Sequence, residues 1–199
     1  MTSSERSDEE VARLAARGDR SAFDELVARY ERPLFNFAYR MLSDYDEASD
    51  ATQETLVQLF RSLPEAKLDL PFKPWVYRIH RNKCLDILRR KRTVRFSDLR
   101  RDDEDESAVD RIADARPLPE EVYERKDIQE QLHSAIAELP ERYREVVSLR
   151  VSGELSFEEI AATLKIPENT AKIHFFRAKD RLRKLLAEGL GLASGGSRA

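Results

Sequence analysis

The sequence predicts an all-α protein made of two small helical domains that are joined by an acidic linker. Only 6 of the 199 residues are glycine, which is about half the usual proportion and favours a helical chain. Apolar residues recur every three or four positions on both sides of one charged stretch that lacks this period. We therefore predict domains over 1–95 and 122–187, a flexible linker over 96–121 and a disordered tail over 188–199.

Composition and cysteine count argue against several classes of protein. Cys84 is the only cysteine, so the chain cannot form an internal disulfide, and its three histidines lack metal-ligand spacing. Glycine-rich phosphate loops, Walker sequences and clustered catalytic carboxylates do not occur. The acidic N-terminus is unlike a signal peptide, and no apolar run is long enough to span a membrane. We expect a cytoplasmic, non-enzymatic protein without a metal or cofactor and without direct membrane insertion.

The N-terminal half is predicted to hold four helices. Capping and periodicity place them at 8–17, from residue 21 to about 41, at 46–62 and at about 74–92. Three prolines between residues 63 and 74 predict a loop before the fourth helix. The third helix is predicted to direct five apolar residues inward: Ala48, Ala51, Leu56, Leu59 and Phe60.

The C-terminal half is predicted to hold four more helices, of which the last two have helix-turn-helix spacing. Ser156 and Glu159 form a capping box before an apolar segment, and a basic helix follows after the three residues 165–167. The predicted helices cover 122–138, 141–152, 157–164 and 168–187.

Charge is distributed in alternating blocks along the chain. Residues 1–65 carry a net charge of −6 and residues 73–95 a net charge of +8. Residues 96–127 return to −6, whereas residues 165–184 carry +5. Each predicted domain thus contains one basic helix, which suggests contact with a polyanion, although a single charged run can equally be a solvated helix face.

The fourth helix is amphipathic. Its apolar side holds Val76, Tyr77, His80, Cys84, Ile87 and Leu88. Its opposite side combines four arginines with one amide, a set suited to phosphates and a base edge: Arg78, Arg81, Asn82, Arg89 and Arg92. Trp75 and Tyr77 are either platforms for unpaired bases or core aromatics.

The last helix also presents two different faces. It directs Ala171, Phe175, Ala178, Leu182 and Leu185 inward. Ile173 and Phe176 point outward beside Lys172 and Arg177, so they are candidates for contact with base edges in a major groove. The alternative is an apolar patch that is exposed or covered by a partner protein.

These features, in this order, resemble one protein family. The segment from Trp75 to Asn82 leads into the basic run 89–92, and a linker, the segment 139–147 and a helix-turn-helix follow. Over about residues 10–187, the chain resembles sigma-70-family factors of the extracytoplasmic-function type. In that family, region 2 binds RNA polymerase and melts the minus-ten promoter element, while region 4 reads the minus-thirty-five element.

The resemblance implies roles for individual residues. A core polymerase-binding helix is implied by three residues: Asp50, Gln53 and Glu54. Asn82 matches the asparagine that helps to read a flipped minus-ten base, and the loop 63–74 matches the segment that holds that base. The implied minus-ten set is Trp75, Arg78, Arg81, Asn82, Arg89 and Arg92. The implied minus-thirty-five set is Asn169, Thr170, Lys172, Ile173, His174, Phe176 and Arg177.

Three positions depart from the family pattern. Lys165 occupies a turn position that is often glycine, and Ile173 and His174 replace a small polar residue and an arginine. The resemblance implies core RNA polymerase, promoter DNA and an anti-sigma factor as partners. The main alternative is a two-domain regulator that binds duplex operators through residues 156–187, but it leaves the arginine stripe of the fourth helix unexplained.

Overall fold

A computed structural model of the protein describes residues 6–66, 71–98 and 120–189. Within these ranges the chain forms helices without any strand, which confirms the all-α prediction. The predicted linker falls mainly on residues 99–119 and the predicted tail mainly on residues 190–199, both outside the described ranges. The helices are α1 Asp8–Ala16, α2 Arg20–Leu42, α3 Tyr45–Ser62, α4 Phe72–Asp98, α5 Glu120–Ala137, α6 Glu141–Ser152, α7 Phe157–Leu164 and α8 Glu168–Gly189.

Side-chain caps set the starts of the first three helices. Ser7 and Glu10 form a capping box, in which the Ser7 hydroxyl accepts from the Glu10 backbone N–H at 3.2 Å. The Asp19 carboxylate accepts from the backbone N–H of Ala22, and Asp44 caps α3 in the same way. Each cap satisfies an N–H that the helix itself cannot pair, so these helices begin where the sequence predicts within one or two residues.

The predicted loop over 63–74 is shorter in the structure. Residues Leu63–Glu65 form a 3-10 turn, and α4 begins at Phe72, so Pro74 lies in its first turn. Proline is tolerated there because the first N–H groups of a helix have no intrahelical partner. Phe72 is buried, with its ring centroid 5.5 Å from that of Tyr30. Residues 67–70 of the predicted loop lie outside the described ranges.

Helix α2 lies at the centre of the molecule and contacts α1, α3, α4, α5 and α6. Its buried residues include Leu26, Leu34, Phe37 and Met41. The same apolar cluster continues into the C-terminal helices, whose contributing residues are Val146, Leu149, Leu155, Ile160 and Ala171. The two halves of the chain therefore share one continuous core in this arrangement.

One predicted core residue is instead at the surface. Phe60 is 61% exposed, although its ring lies edge-on to Phe23 with the centroids 5.0 Å apart. Leu59 is fully buried and takes the inward position. Neighbouring residues on a helix are about 100° apart, so the burial of Leu59 turns Phe60 towards the solvent.

His80 is a fully buried histidine at the junction of α2, α3 and α4. Its Nε2 lies 2.9 Å from the Leu34 carbonyl oxygen, which can only accept, so Nε2 carries the proton. Its Nδ1 lies 2.8 Å from Thr55 Oγ1. Burial lowers the pKa of His80 from 6.5 to about 4, and the ring is neutral in the folded protein.

We predict that the imidazole of His80 stays neutral at pH 5 in the folded protein. Because its folded-state pKa is depressed, the stability that depends on neutral His80 is complete above pH 6.5 and declines as the pH falls towards 4. A two-dimensional NMR titration of the histidine rings tests this directly. A His80 ring that titrates near pH 6.5 while the protein remains folded contradicts the prediction.

Candidate nucleic-acid interface

The outer side of α4 carries the four arginines and the asparagine of the predicted minus-ten set, and we call this side the basic face: Arg78, Arg81, Asn82, Arg89 and Arg92. Asn82, Arg89 and Arg92 are exposed on it, whereas Arg78 and Arg81 are half-buried. The opposite side of α4 is buried in the core, and the basic face is the side that is left in contact with water. It spans about four helical turns, a length over which arginines can follow several successive phosphates.

The buried side of α4 holds the basic face in position. Val76, Tyr77, His80 and Cys84 are fully buried. The Tyr77 ring lies 5.8 Å from that of Phe37, centroid to centroid, so Tyr77 is a core aromatic and not a stacking platform for bases. Burial raises the pKa of the Cys84 thiol to about 12, and that thiol is unreactive at neutral pH.

Trp75 remains accessible at the start of the basic face. Its side chain is half-buried, and its ring centroid lies 6.0 Å from that of Phe72. The indole is therefore packed against the core on one side and keeps a smaller part of its surface exposed. A rigid, partly exposed aromatic of this kind is suited to stack on an unpaired base.

The arginines of the basic face differ in how they are held. Arg89 pairs with Asp86 at 3.2 Å within α4, and both side chains are mostly exposed. Such a pair is weak in water, so Arg89 remains available to an anion. Arg81 and Arg92 instead pair with residues of α6, Glu145 at 2.7 Å and Glu141 at 2.8 Å.

Helices α7 and α8 form the helix-turn-helix that the sequence predicts. Ser156 and Glu159 form the expected capping box, with hydrogen bonds of 2.7 Å and 3.1 Å between them. Lys165 ends α7 in the left-handed region at φ 57°, and its N–H donates to the Ala161 carbonyl. A non-glycine residue therefore makes the turn, at a cost of about 1 kcal/mol relative to glycine.

Helix α8 presents an exposed face that mixes apolar and basic residues. Ile173 is 41% exposed and Phe176 is 58% exposed. Beneath them, Phe175 packs edge-on against Phe157 of α7 with the centroids 5.6 Å apart. The exposed residues of the predicted minus-thirty-five set are Asn169, Lys172, Ile173, Phe176 and Arg177.

Two residues of that set are less accessible. Thr170 is half-buried, and the half-buried His174 lies edge-on to Tyr143 with the ring centroids 5.4 Å apart. Burial lowers the pKa of His174, and the guanidinium groups of Arg142 and Arg177 lower it further. At neutral pH His174 is therefore uncharged, so it acts as a packing and hydrogen-bonding residue more than as a cationic phosphate contact.

Helix α3 presents an acidic face away from the core. Asp50, Gln53 and Glu54 are exposed together on it, and Glu54 pairs with Lys83 of α4 at 3.0 Å. One and two turns further on, Val57 is 49% exposed and Phe60 is 61% exposed. The sequence predicted Phe60 to point inward and gave no role to Val57. Both residues nevertheless lie on the same side of the helix as Gln53, four and seven residues further along the chain.

Glu141 and Glu145 are functional candidates that the sequence analysis missed. Both lie on one side of α6, four residues apart, and each pairs with an arginine of the basic face. Burial raises the pKa of Glu145, while Arg81 lowers it in part. No local pattern in the sequence indicates these pairs, because 64 and 49 residues separate the partners.

In the part of the chain that the structure describes, no three histidine, cysteine or acidic side chains are grouped as a metal site. None of the described helices combines the length and apolarity required to cross a bilayer.

Comparison with known families gives two matches, one in each half of the chain. Residues 26–94 match the family Sigma-70 region 2, and residues 129–182 match the family Sigma-70, region 4. The first match includes α3 and the basic face of α4. The second includes the helix-turn-helix.

Curated relatives resemble almost the whole chain. The RNA polymerase sigma-H factor of Pseudomonas aeruginosa is 31% identical over 180 residues, covering 90% of this chain and 93% of the relative. The ECF RNA polymerase sigma factor SigW of Bacillus subtilis is 30% identical, covering 86% of this chain and 92% of the relative.

Two solved structures are similar in fold over most of the chain. CnrH, in a complex with the cytosolic domain of CnrY, superposes with a TM-score of 0.67 at 25% identity, covering 91% of this chain and 97% of CnrH. RpoE from Bartonella quintana, in a complex with the anti-sigma factor NepR, superposes with a TM-score of 0.62 at 25% identity, covering 82% of this chain and 96% of RpoE.

Proposed function

Since the chain belongs to the sigma-70 family of RNA polymerase sigma factors, in its extracytoplasmic-function (ECF) group, we propose that it binds core RNA polymerase and directs it to promoters. One observation carries the proposal. A single chain presents both a helix-turn-helix suited to duplex DNA and a separate arginine face, next to an accessible tryptophan, suited to a single strand. Initiation at a promoter needs both kinds of contact.

In this proposal the acidic face of α3 contacts the polymerase. Asp50, Gln53 and Glu54 supply polar contacts, and Val57 and Phe60 extend the same face with apolar surface. Acidic residues suit a basic partner surface, and exposed aromatic residues are common at the centre of protein interfaces. The observation supporting this role is that all five side chains are exposed on α3, while Ala48, Ala51, Thr52, Thr55 and Leu59 form its buried side.

The basic face of α4 contacts the minus-ten element. Asn82 has both donors and acceptors for a base edge, and Arg78, Arg81, Arg89 and Arg92 hold the backbone. Trp75 stacks on an unpaired base. Extruding a base from a duplex costs a few kcal/mol, and prepositioned contacts of this kind offset that cost.

Helix α8 reads the minus-thirty-five element in a major groove. Lys172 and Arg177 contact phosphate or guanine, and Ile173 and Phe176 contact thymine methyl groups or deoxyribose. Asn169 and Thr170 lie in the first turn of α8, where helix N–H groups favour a phosphate, and His174 supports the Tyr143 side of the helix.

The proposal also covers organisation and partners. Residues 1–95 form a region 2 domain, 96–121 a linker, 122–187 a region 4 domain and 188–199 a tail. The protein acts in the cytoplasm with the polymerase and performs no chemistry of its own. An anti-sigma factor holds it inactive, as the complex of RpoE with NepR supports.

Transcription by purified core RNA polymerase on a pool of the host's promoter fragments tests the proposal. We expect initiation at a subset of promoters only when the protein is present. Tight binding to duplex DNA without any transcription by core would instead favour the operator-binding regulator.

Asn82→Ala and Arg89→Ala should have different effects, although both residues are exposed on the basic face. Asn82→Ala should relax minus-ten specificity at one base by about 1 to 3 kcal/mol, because it removes a base-edge contact. Arg89→Ala should weaken all promoters alike and lower the salt dependence of binding, because it removes a phosphate contact. Equal, sequence-independent losses from the two variants would contradict the assignment.

Phe176→Ala should reduce binding to promoter duplex without changing the affinity for core polymerase. Phe60→Ala makes the same substitution on α3 and should have the opposite effect, a weaker affinity for core with unchanged duplex binding. Gel-shift and core-binding titrations of both variants separate the two surfaces. A loss of core affinity in Phe176→Ala would place Phe176 on a protein interface.

A further inference from the structure

We propose that α1 positions the end of the basic face where an unpaired base would stack, and that Glu9 does so by capping the first turn of α4. Helix α1 ends at Ala16 and the match to region 2 begins at residue 26, so that match gives α1 no role. The effect of Glu9 on Trp75 holds whatever the protein does. Its consequence for the minus-ten element rests on the proposed function.

The start of α4 has no cap from the residue before it. Pro71 directly precedes the helix and has no side-chain acceptor, although the first N–H groups of a helix lack an intrahelical partner. The acceptor comes from another helix, since the Phe72 backbone N–H donates to Glu9 Oε1 at 3.3 Å. A carboxylate is also favoured at the positive end of the helix dipole. Glu9 therefore caps α4 from a position 63 residues away in the sequence.

The capping box at Ser7 sets the directions in which the next two acids point. Asp8 and Glu9 are the first two residues of α1, and neighbours on a helix differ in direction by about 100°. The Asp8 carboxylate accepts from Arg29 of α2 at 2.6 Å and from the hydroxyl of Tyr30. The Glu9 carboxylate reaches α4 instead. Two adjacent acids thus join α1 to two different helices.

Apolar contacts hold α1 in this register. Val11 and Ala12 are buried in the core. Tyr30 contacts both neighbours, because its hydroxyl donates to α1 and its ring lies edge-on to Phe72 of α4. Burial raises the pKa of Tyr30, so its hydroxyl stays protonated and continues to donate. The first residue of α4 is therefore held to α1 through the ring of Tyr30 as well as by the cap.

The first turn of α4 in turn fixes Trp75. The Trp75 backbone N–H donates to the Pro71 carbonyl oxygen at 3.2 Å, which closes that turn. The indole lies 6.0 Å from the ring of Phe72, centroid to centroid. The core side chains that follow hold the rest of α4. Loss of the cap should therefore loosen residues 72–75 and leave Asn82 in place.

Helix α1 also contacts the 3-10 turn Leu63–Glu65, in which Leu63 is buried. This turn and the first turn of α4 are the two described ends of the segment 63–74, which resembles the part of the family that holds a flipped base. One helix thus braces both ends of that segment. Bracing matters for binding, because a base that stacks on a prepositioned indole immobilises fewer groups.

Acrylamide quenching of tryptophan fluorescence tests the contact in the full-length chain, because Trp75 is its only tryptophan. Glu9→Ala should raise the quenching constant about twofold, since the first turn of α4 opens more often without its cap. Glu9→Gln keeps a carbonyl oxygen that can accept from the Phe72 N–H, so its quenching constant should stay close to that of wild type.

Asp19→Ala is the matched control, because it removes a carboxylate cap from a different helix. Asp19 accepts from the Ala22 backbone N–H at the start of α2, at 3.1 Å. This variant should lower the melting temperature as Glu9→Ala does, but leave the quenching of Trp75 unchanged. Equal increases in quenching in both variants would indicate a general loss of stability and overturn the proposal. Unchanged quenching in Glu9→Ala would overturn it as well.

The consequence for promoters is measured on the holoenzyme. A 2-aminopurine base in the minus-ten element of a promoter that the wild-type holoenzyme opens reports unpairing through its fluorescence. Glu9→Ala should reduce opening about fivefold, because the base stacks less well on a loosened indole. Glu9→Gln should restore opening, and neither variant should change the affinity for core polymerase or for minus-thirty-five duplex. Full opening by Glu9→Ala would refute the role of α1 in minus-ten contact.

The two readouts separate this proposal from the proposed function. Transcription with wild-type protein tests the sigma-factor role alone, and quenching of Trp75 in the isolated chain tests the Glu9 contact alone. Looser Trp75 in Glu9→Ala, together with a wild type that starts no transcription, would refute the proposed function and support the contact. Transcription by wild type, with unchanged quenching in Glu9→Ala, would refute the contact and support the proposed function.

Discussion

The amphipathic character of α4 is the constraint on which the other surfaces depend. Its inner side places Tyr77 and His80 in a core that α2 and α3 also line, and both side chains are fully buried. Because that side cannot rotate without exposing them, the arginines on the opposite side are fixed in direction. Burial of polar atoms reinforces this constraint, since His80 finds hydrogen-bonding atoms on both neighbouring helices.

The local distribution of charge says more about the partners of each surface than the net charge of −3 does. Acidic α3 and basic α4 lie side by side, and cross-helix pairs such as Lys83 with Glu54 and Lys91 with Glu47 join them. These pairs are largely exposed or half-exposed, so they contribute little to stability. These ion pairs lie where the acidic surface of α3 meets the basic surface of α4. Two adjacent surfaces of opposite charge suit a chain that contacts a protein on one side and a polyanion on the other.

Local signals predicted the helices well, and long-range contacts explain what they missed. The bounds of α6 and α7 agree with the prediction because Pro140, Gly153 and the Ser156 cap act within one turn. The outward direction of Ile173 and Phe176 was also predicted, since it depends only on helical periodicity. Phe60 was placed inside wrongly, because periodicity defines a face but not how far a neighbouring helix covers it. The pairs made by Glu141 and Glu145 depend on how the two halves dock, which no local pattern contains.

The contact between α6 and α4 joins the two halves of the chain through ion pairs between residues that are distant in sequence. Glu145 is charged at a buried position, which is favourable only while Arg81 compensates for its lost hydration. The more exposed pair between Arg92 and Glu141 is screened by water and contributes less. The docking of the two halves therefore depends on their shared apolar core more than on these charge pairs.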